Sequence, residues 1–466
     1  MSIFHLSRNQ SFDLVLCVIS LVLVFLAPNT YSYDYCLLIH NLFLLTFAYN
    51  LIKNRKDGLL SFNLLFTVSF YCTSFIYPVF FYNTSDRYFS MFSYSFDENI
   101  ITYSTAISYM AYCFLQLGLN NKGKNTGDIT NFVIENVRIE KSLSFLTLVF
   151  TLFFIYFILN DGLKYFSDQF ANASSKNDGI MAYFVQFLSP IAYSIFIMAF
   201  FLKNKRSFTF VFAVSIVGLF ALLILLTGSR TIPLSIISLA LFLFNDKISK
   251  LGVVKLAMLG VSFVVIMVLA GSLRGNGDMI NSSNISENAS DVIENNDNIF
   301  LFAEELIICN RNLYFLIGTT DNIGYTYGAT VLGSVLSVVP FLSNLFLSVT
   351  GLPEAAINSA KYNTVLSGVT TKGLGTHAVA DIYICWGILG VMIIFYLYGF
   401  IITKFKCSSN KILYSVAYYI IISNAIYACR ATIFNLSQIL WTVGIVYLVL
   451  KMSGNKTTLT KTDYLK

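Results

Sequence analysis

The sequence predicts an all-α, polytopic membrane protein of about twelve spanning helices, with an external helical or re-entrant region between the ninth and tenth. Three observations carry that expectation. Of 466 residues, 56% are hydrophobic and only 12% are charged, whereas soluble domains carry about 25% charged residues. Apolar runs recur at the length a bilayer demands of a helix, roughly 17–25 residues. No stretch shows the residue-by-residue alternation of a transmembrane barrel. Mean hydropathy is +0.70.

Taken in order, the expected spans are 12–28, 34–50, 59–80, 99–118, 141–160, 180–202, 208–227, 229–245 and 251–270, followed by 376–402, 411–429 and 431–450. The first run is short enough to resemble a signal peptide. No small-residue cleavage pattern follows it, and "LAPNTYSYD" leads straight into more apolar sequence, so it reads as a span. Lysine and arginine are retained on the cytoplasmic side of a membrane. "KNRK", "NKGK", "KNKR" and "DKISK" follow the second, fourth, sixth and eighth spans, and "KFKCSSNK" and the C-terminal tail are basic as well. Both termini are therefore expected in the cytoplasm. Residues 1–270 form an N-terminal membrane region, 271–375 an external region and 376–466 a C-terminal membrane region. Within 271–375, two apolar parts, 299–318 and 326–349, must cross as a pair, lie flat or re-enter; Glu304, Glu305 and Arg311 make the first a poor span, which favours helices that lie on the surface or re-enter.

The net charge of +6 is modest, and nothing in its placement points to nucleic acid. Eight scattered cysteines without a CxxC pattern read as buried thiols, and three histidines are too few for a histidine-rich metal centre. There is no nucleotide-binding fingerprint, and no cofactor is implied.

Polar residues gather on the outer side of this topology. Arg230, in "LLTGSRTIPL", and Arg430, in "NAIYACRATIF", each mark a hinge between two apolar runs. Arg274 in "GSLRGNGD" and Lys372 in "TTKGLGTHAVAD" lie at the same level. The usual bias puts cations on the other face, so an outward cluster suggests a site for an anion such as a diphosphate, which the arginine fork grips well. "KGLGTH" leads into a helix near Thr376 whose free N–H groups would also favour an anion. His377 and Asp381, four residues apart, would share a helix face and offer a general base or an orienting pair. Glu304 and Glu305 are alternative bases. Asn358 and Lys361 in "PEAAINSAKYNTVL" are candidates for sugar contacts, and the aromatic stretch "PVFFYNTSDRYFSMFSY" reads as an interfacial belt or a sugar-stacking surface. The acidic residues of "DMINSSNISENASDVIENNDN" match no defined calcium loop.

Four stretches, in order between about 180 and 450, resemble the Wzy family of O-antigen polysaccharide polymerases: "LLTGSRTIPLSIISLALFLF", "YTYGATVLGSVLSVVP", "TKGLGTHAVADIYICWGILG" with Gly387 and Gly390, and "YACRATIF". Arg230 and Arg430 carry over best. The resemblance implies a C-type glycosyltransferase that joins oligosaccharide repeats carried on undecaprenyl diphosphate, as donor and as acceptor, at the periplasmic face of a bacterial inner membrane. It also implies a flippase and a chain-length regulator as partners. With that chemistry, Arg230 and Arg430 would hold the donor diphosphate, Arg274 and Lys372 would assist, and no bound metal is required. Two rival functions remain at the level of sequence: an O-antigen ligase, which uses the same donor, and a flippase or other transporter, which would place its polar groups nearer mid-membrane.

Overall fold

The computed structural model describes residues 8–54, 58, 60–121, 137–160, 162, 180–226, 229–252, 255, 258, 304–369, 373–407, 412–433 and 435–453. All regular structure among them is helical. In chain order the helices are α1 (Arg8–Phe25), α2 (Tyr33–Lys53), α3 (Phe62–Ser74), α4 (Ile100–Leu119), α5 (Val137–Leu159), α6 (Ile180–Phe201), α7 (Phe208–Leu226), α8 (Thr231–Lys247), α9 (Glu304–Ile307), α10 (Cys309–Ile323), α11 (Ala329–Leu336), α12 (Leu342–Thr350), α13 (Ser359–Leu366), α14 (Ala378–Cys407), α15 (Ile412–Ser423) and α16 (Leu436–Met452). The chain is a polytopic, all-α membrane protein.

Among the described residues, Tyr33–Lys53, Arg138–Leu159, Phe184–Phe201, Phe208–Leu226 and Ala378–Cys407 are long and apolar enough to cross a bilayer, and Ser11–Phe25, Ile412–Ser423 and Leu436–Met452 are shorter apolar helices. The remaining expected spans differ in instructive ways. The run 59–80 is α3 followed by a π-helical turn at Tyr77–Phe81 that begins beside Pro78, which cannot donate to a regular ladder. α4 and α8 are helical where expected but carry more polar residues. Most of 251–270 lies outside the described residues.

α4 is the central post. Every residue from Ser104 to Cys113 is buried, hydroxyls included. It crosses α14 where Gly118 meets Gly399: a Cβ on Gly118 would lie 2.2 Å from the Tyr396 carbonyl oxygen, and one on Gly399 would lie 2.4 Å from that of Leu115. Small residues permit this backbone approach, the main source of helix association where lipid is as apolar as the side chains. Thr403 ties the crossing by donating to the Leu119 carbonyl at 2.8 Å. α5 and α7 instead leave Phe145, Leu148, Leu152, Val211 and Leu222 exposed, as lipid-facing helices do.

Polar and basic residues tie several helix ends to their neighbours. Lys53 of α2 pairs with buried Asp13 of α1 at 2.7 Å, and Asn120, just after α4, bonds both Asn50 and Asn54. Lys247 of α8 lies 5.1 Å from the Phe201 ring at the end of α6, and Thr403 lies one residue before Lys404 of α14.

α10 packs into the bundle, against α3, α4 and α14. Asn310 donates to the Cys72 carbonyl at 2.9 Å, and Arg311 is fully buried. The aromatic stretch of 78–94 likewise packs inward in part: Phe92 stacks on Tyr77 with ring centroids 3.6 Å apart, and both are buried.

Candidate active site

The start of α14 is set by side chains reaching in from three directions. Asn312 of α10 donates to the Leu374 carbonyl at 2.7 Å, and Asn363 of α13 donates to that of Gly375 at 2.9 Å. The Ala378 N–H donates to the Cys429 carbonyl at 3.0 Å, which joins the α14 terminus to the residue before Arg430. The Val379 N–H donates to Nδ1 of His377 at 3.1 Å. These N–H groups are thus engaged within the protein. The Ala378 and Val379 N–H groups, expected from the sequence to favour an anion, are instead bonded to the Cys429 carbonyl and the His377 ring.

A cavity of about 480 Å³ opens beside this terminus, and the Asp381 side chain lines it. Asp381 is 1% exposed and accepts a 2.8 Å hydrogen bond from Thr330 Oγ1. Thr330, Ser334 and Ser337 form one wall, at spacings of four and three residues that put them on one face of α11 and the turn after it. Ser359, which begins α13, and Thr432 and Asn435, which lie between Arg430 and α16, line the opposite side. This polar wall is legible in "YTYGATVLGSVLSVVP", whose small hydroxyl residues recur with helical period. The volume falls in the range of small-molecule sites, about 300–1,000 Å³.

His377 does not line this cavity. It is fully buried, packs beside Phe70 of α3 with ring centroids 6.3 Å apart, and contacts Ser74 Oγ through Nε2 at 3.2 Å. Since Nδ1 accepts from Val379, the neutral ring with its proton on Nε2 satisfies both contacts. The four-residue spacing does not align the two side chains, because His377 precedes the helix and only Asp381 is inside it.

Arg230 caps the N-terminus of α8 and is 8% exposed; Arg430 is half-buried at the end of the turn after α15. The two hinges stand together. Ser235 of α8 donates to Asn424 Oδ1 at 2.8 Å, and Asn424 donates to Gln438 of α16 at 3.2 Å. Neither arginine lines the cavity, whereas Ala431 and Thr432, directly after Arg430, do.

Arg274 and Lys372 lie outside the described residues, as do the acidic residues of 278–297 and the Glu305 side chain. Glu304 is half-buried at the start of α9, away from the cavity. Asn358 lines it while capping α13, its Oδ1 accepting from the Ala360 and Lys361 N–H groups at 3.1 and 3.2 Å. Lys361 pairs with Glu354, a residue of the cavity rim. Among the described residues, no three His, Cys, Asp or Glu side chains gather as a metal cage would need.

The chain matches no curated protein and no solved structure. A family model does match it, over residues 11–460, that of the O-antigen polysaccharide polymerase Wzy. Nearly the whole chain is covered, from α1 to beyond α16, so the cavity, the α14 terminus and both arginine hinges all fall inside the match: the chain belongs to the Wzy family of O-antigen polysaccharide polymerases.

Proposed function

We propose that the protein joins undecaprenyl-diphosphate-linked oligosaccharide repeats at the periplasmic face of the inner membrane, and that the cavity over Asp381 is where the bond forms. The observation that carries this reading is a buried carboxylate, held by Thr330, at a polar cavity next to the turn that bears Arg430. The cavity also stands at the opposite end of α14 from Lys404 and Lys406, which suits a substrate on the outer side.

In this reading the acceptor sugar enters among the hydroxyls of α11 and α13. Its attacking hydroxyl gives its proton to Asp381 as its oxygen bonds to the anomeric carbon of the donor. The bond from that carbon to the diphosphate breaks, and the diphosphate keeps the electron pair. Arg230 and Arg430, at the hinges beside the cavity rather than in its wall, are the proposed cations for the donor diphosphate, where a fixed charge would stabilise the transition state more than the ground state. Arg274 and Lys372 remain proposed cations for the acceptor diphosphate. Asn358 and Lys361 remain proposed sugar contacts, and Glu304 and Glu305 the bases to turn to if Asp381 fails. His377 is proposed as a positioning residue that fixes the start of α14. A flippase that delivers repeats and a chain-length regulator are the partners this role implies.

The test uses purified protein in liposomes with one lipid-linked repeat. Wild type is expected to give a ladder of lengths. Asp381→Asn is expected to slow it by about 10²–10⁴-fold, the usual worth of a positioned proton-transfer group, with donor binding retained. A wild-type rate from Asp381→Asn removes Asp381 from the chemistry. With lipid A-core added as a second acceptor, transfer of single repeats to it with no ladder would make the protein a ligase.

A further inference from the structure

Between Asp321 and Glu354 the chain carries no aspartate, glutamate, lysine, arginine or histidine. This stretch holds α11 and α12, which no expected spanning helix includes. A charge-free segment of this length is poorly suited to water, since soluble surfaces are rich in charge. α12 is amphipathic in a specific sense. Phe341, Ser343, Asn344 and Leu347 line the cavity. Leu345 and Val349, four residues apart and so on one stripe of α12, are 59% and 78% exposed, and Leu352, just past the C-terminal Gly351, is 46% exposed.

The protein has two tryptophans, and both touch this segment. A Cβ on Gly328, the residue before α11, would lie 2.6 Å from Cζ2 of Trp386 on α14. Trp441 of α16 donates from Nε1 to the Val338 carbonyl, in the turn between α11 and α12, at 2.7 Å. Tryptophan favours the level where headgroups meet acyl chains. Trp386 is itself 40% exposed, and Leu389, next along the same spanning helix, is 69% exposed. Both tryptophans thus stand beside the segment that carries α12, one of them exposed on the spanning helix α14.

We propose that α12 lies in the outer membrane interface, with Leu345, Val349 and Leu352 seated in the acyl chains of the leaflet and its other edge forming the cavity wall. One short helix would then be all that separates lipid from the cavity on this side. Positive φ angles bracket it, +65° at Phe341 and +67° at Gly351, so the chain turns sharply at each end. Resting on the catalytic reading of the cavity, the consequence is a lateral entry: a substrate with a polar head and a polyprenyl tail passes beneath α12 while its tail stays in the leaflet. The occupant of the stripe is lipid rather than a protein partner, because the stripe is apolar, lies in a segment without charge, and that segment is flanked by both tryptophans of the chain.

Two measurements test the seating without reference to activity. The first uses the unaltered protein in bilayers of brominated phosphatidylcholine. Bromines placed near the headgroup are expected to quench the fluorescence of Trp386 and Trp441 more than bromines near the chain ends. The reverse order, or no quenching, overturns the interfacial level. The second uses nitroxide labels on cysteines placed at Leu345, Val349 and Asn344 in lipid nanodiscs, with Cys72 and Cys407 replaced by serine. Labels at 345 and 349 are expected to collide mainly with dissolved oxygen, and the label at 344 mainly with a water-soluble nickel chelate. Nickel access at 345 and 349 puts the stripe in water. Exclusion of both reagents there puts it under protein. Either result overturns the proposal. A third arm reads the entry: Leu345→Ser with Val349→Ser is expected to slow ladder formation from the long-chain substrate but not from a short-chain analogue dispersed in detergent. Equal slowing of both overturns the lateral route. Should Asp381→Asn leave the ladder intact while the labels report lipid, the catalytic reading fails and the seating stands.

Discussion

His377 stands one residue before α14 and Asp381 one turn inside it, and that step decides what each side chain meets. His377 accepts from a terminal N–H and reaches Ser74, while Asp381 meets Thr330 and open cavity. His377→Gln is therefore expected to act first on stability. The loss of a helix-cap interaction costs about 0.5–2 kcal/mol, read as a lower Tm in detergent, with a smaller loss of initial rate than Asp381→Asn causes. A His377→Gln protein of full stability that is as slow as Asp381→Asn would return His377 to the chemistry. Arg230→Ala and Arg430→Ala are each expected to abolish chain extension, and lysine at either place to restore part of it, since lysine keeps the charge and loses the fork. The check is polymer length and yield at matched protein levels; normal product from both alanine variants would refute the role.

Among the elements, α14 is the one whose irregularity matters. Gly387 has φ +63° and ψ −153°, which breaks the helix one and a half turns after Asp381. The break takes Ile384 out of the helical ladder, and its carbonyl accepts instead from the Thr326 N–H at 2.7 Å, just before α11. Non-helical backbone at this depth is tolerated only where the protein resupplies the hydrogen bonds. The kink thereby attaches the cavity wall to the helix that carries Asp381. Gly387→Ala meets two obstacles, the positive φ and a Cβ 3.0 Å from the Tyr325 hydroxyl. It is expected to cost about 1–3 kcal/mol and to slow extension. Gly218→Ala in α7, with nothing within 4 Å of its Cβ, is expected to leave both unchanged. Thermal melts and ladder assays on the pair make the comparison; equal behaviour would show the kink to be dispensable.

At the scale of the whole molecule, Arg311 stitches distant segments. It donates to Asn363 and Ser367 around α13, at 3.2 and 2.9 Å, and to the Ser95 carbonyl before α4 at 3.1 Å. Its guanidinium also lies 4.4 Å from the centre of the Phe315 ring. Burial lowers its pKa to about 10, so it remains charged at neutral pH. Arg311→Met is expected to cost at least about 1.5–3 kcal/mol, the range for one hydrogen bond to a charged group, seen as a lower Tm. An unchanged Tm would show these bonds to be replaced by water. The orientation is checked by cysteines at Asn322 and Asn204. An impermeant thiol reagent added from the periplasm is expected to label the first and not the second; the opposite pattern would invert the topology.

Composition alone determined that the chain is helical and crosses a membrane, because a bilayer leaves few solutions to a sequence so poor in charge. The order of apolar runs placed most helices. The glycine, proline and arginine patterns were enough to suggest the family to which the chain belongs. What only the tertiary structure decided is which polar residues meet. Asp381 faces Thr330, 51 residues away, and the Ala378 N–H meets the Cys429 carbonyl. Arg311, which in sequence argues only against a spanning helix, is buried among acceptors from segments on either side of it. Periodicity reports a helix's own faces, within a few turns. A cavity forms between helices brought together by packing, and the partners of a buried polar group come from wherever the chain has folded past it.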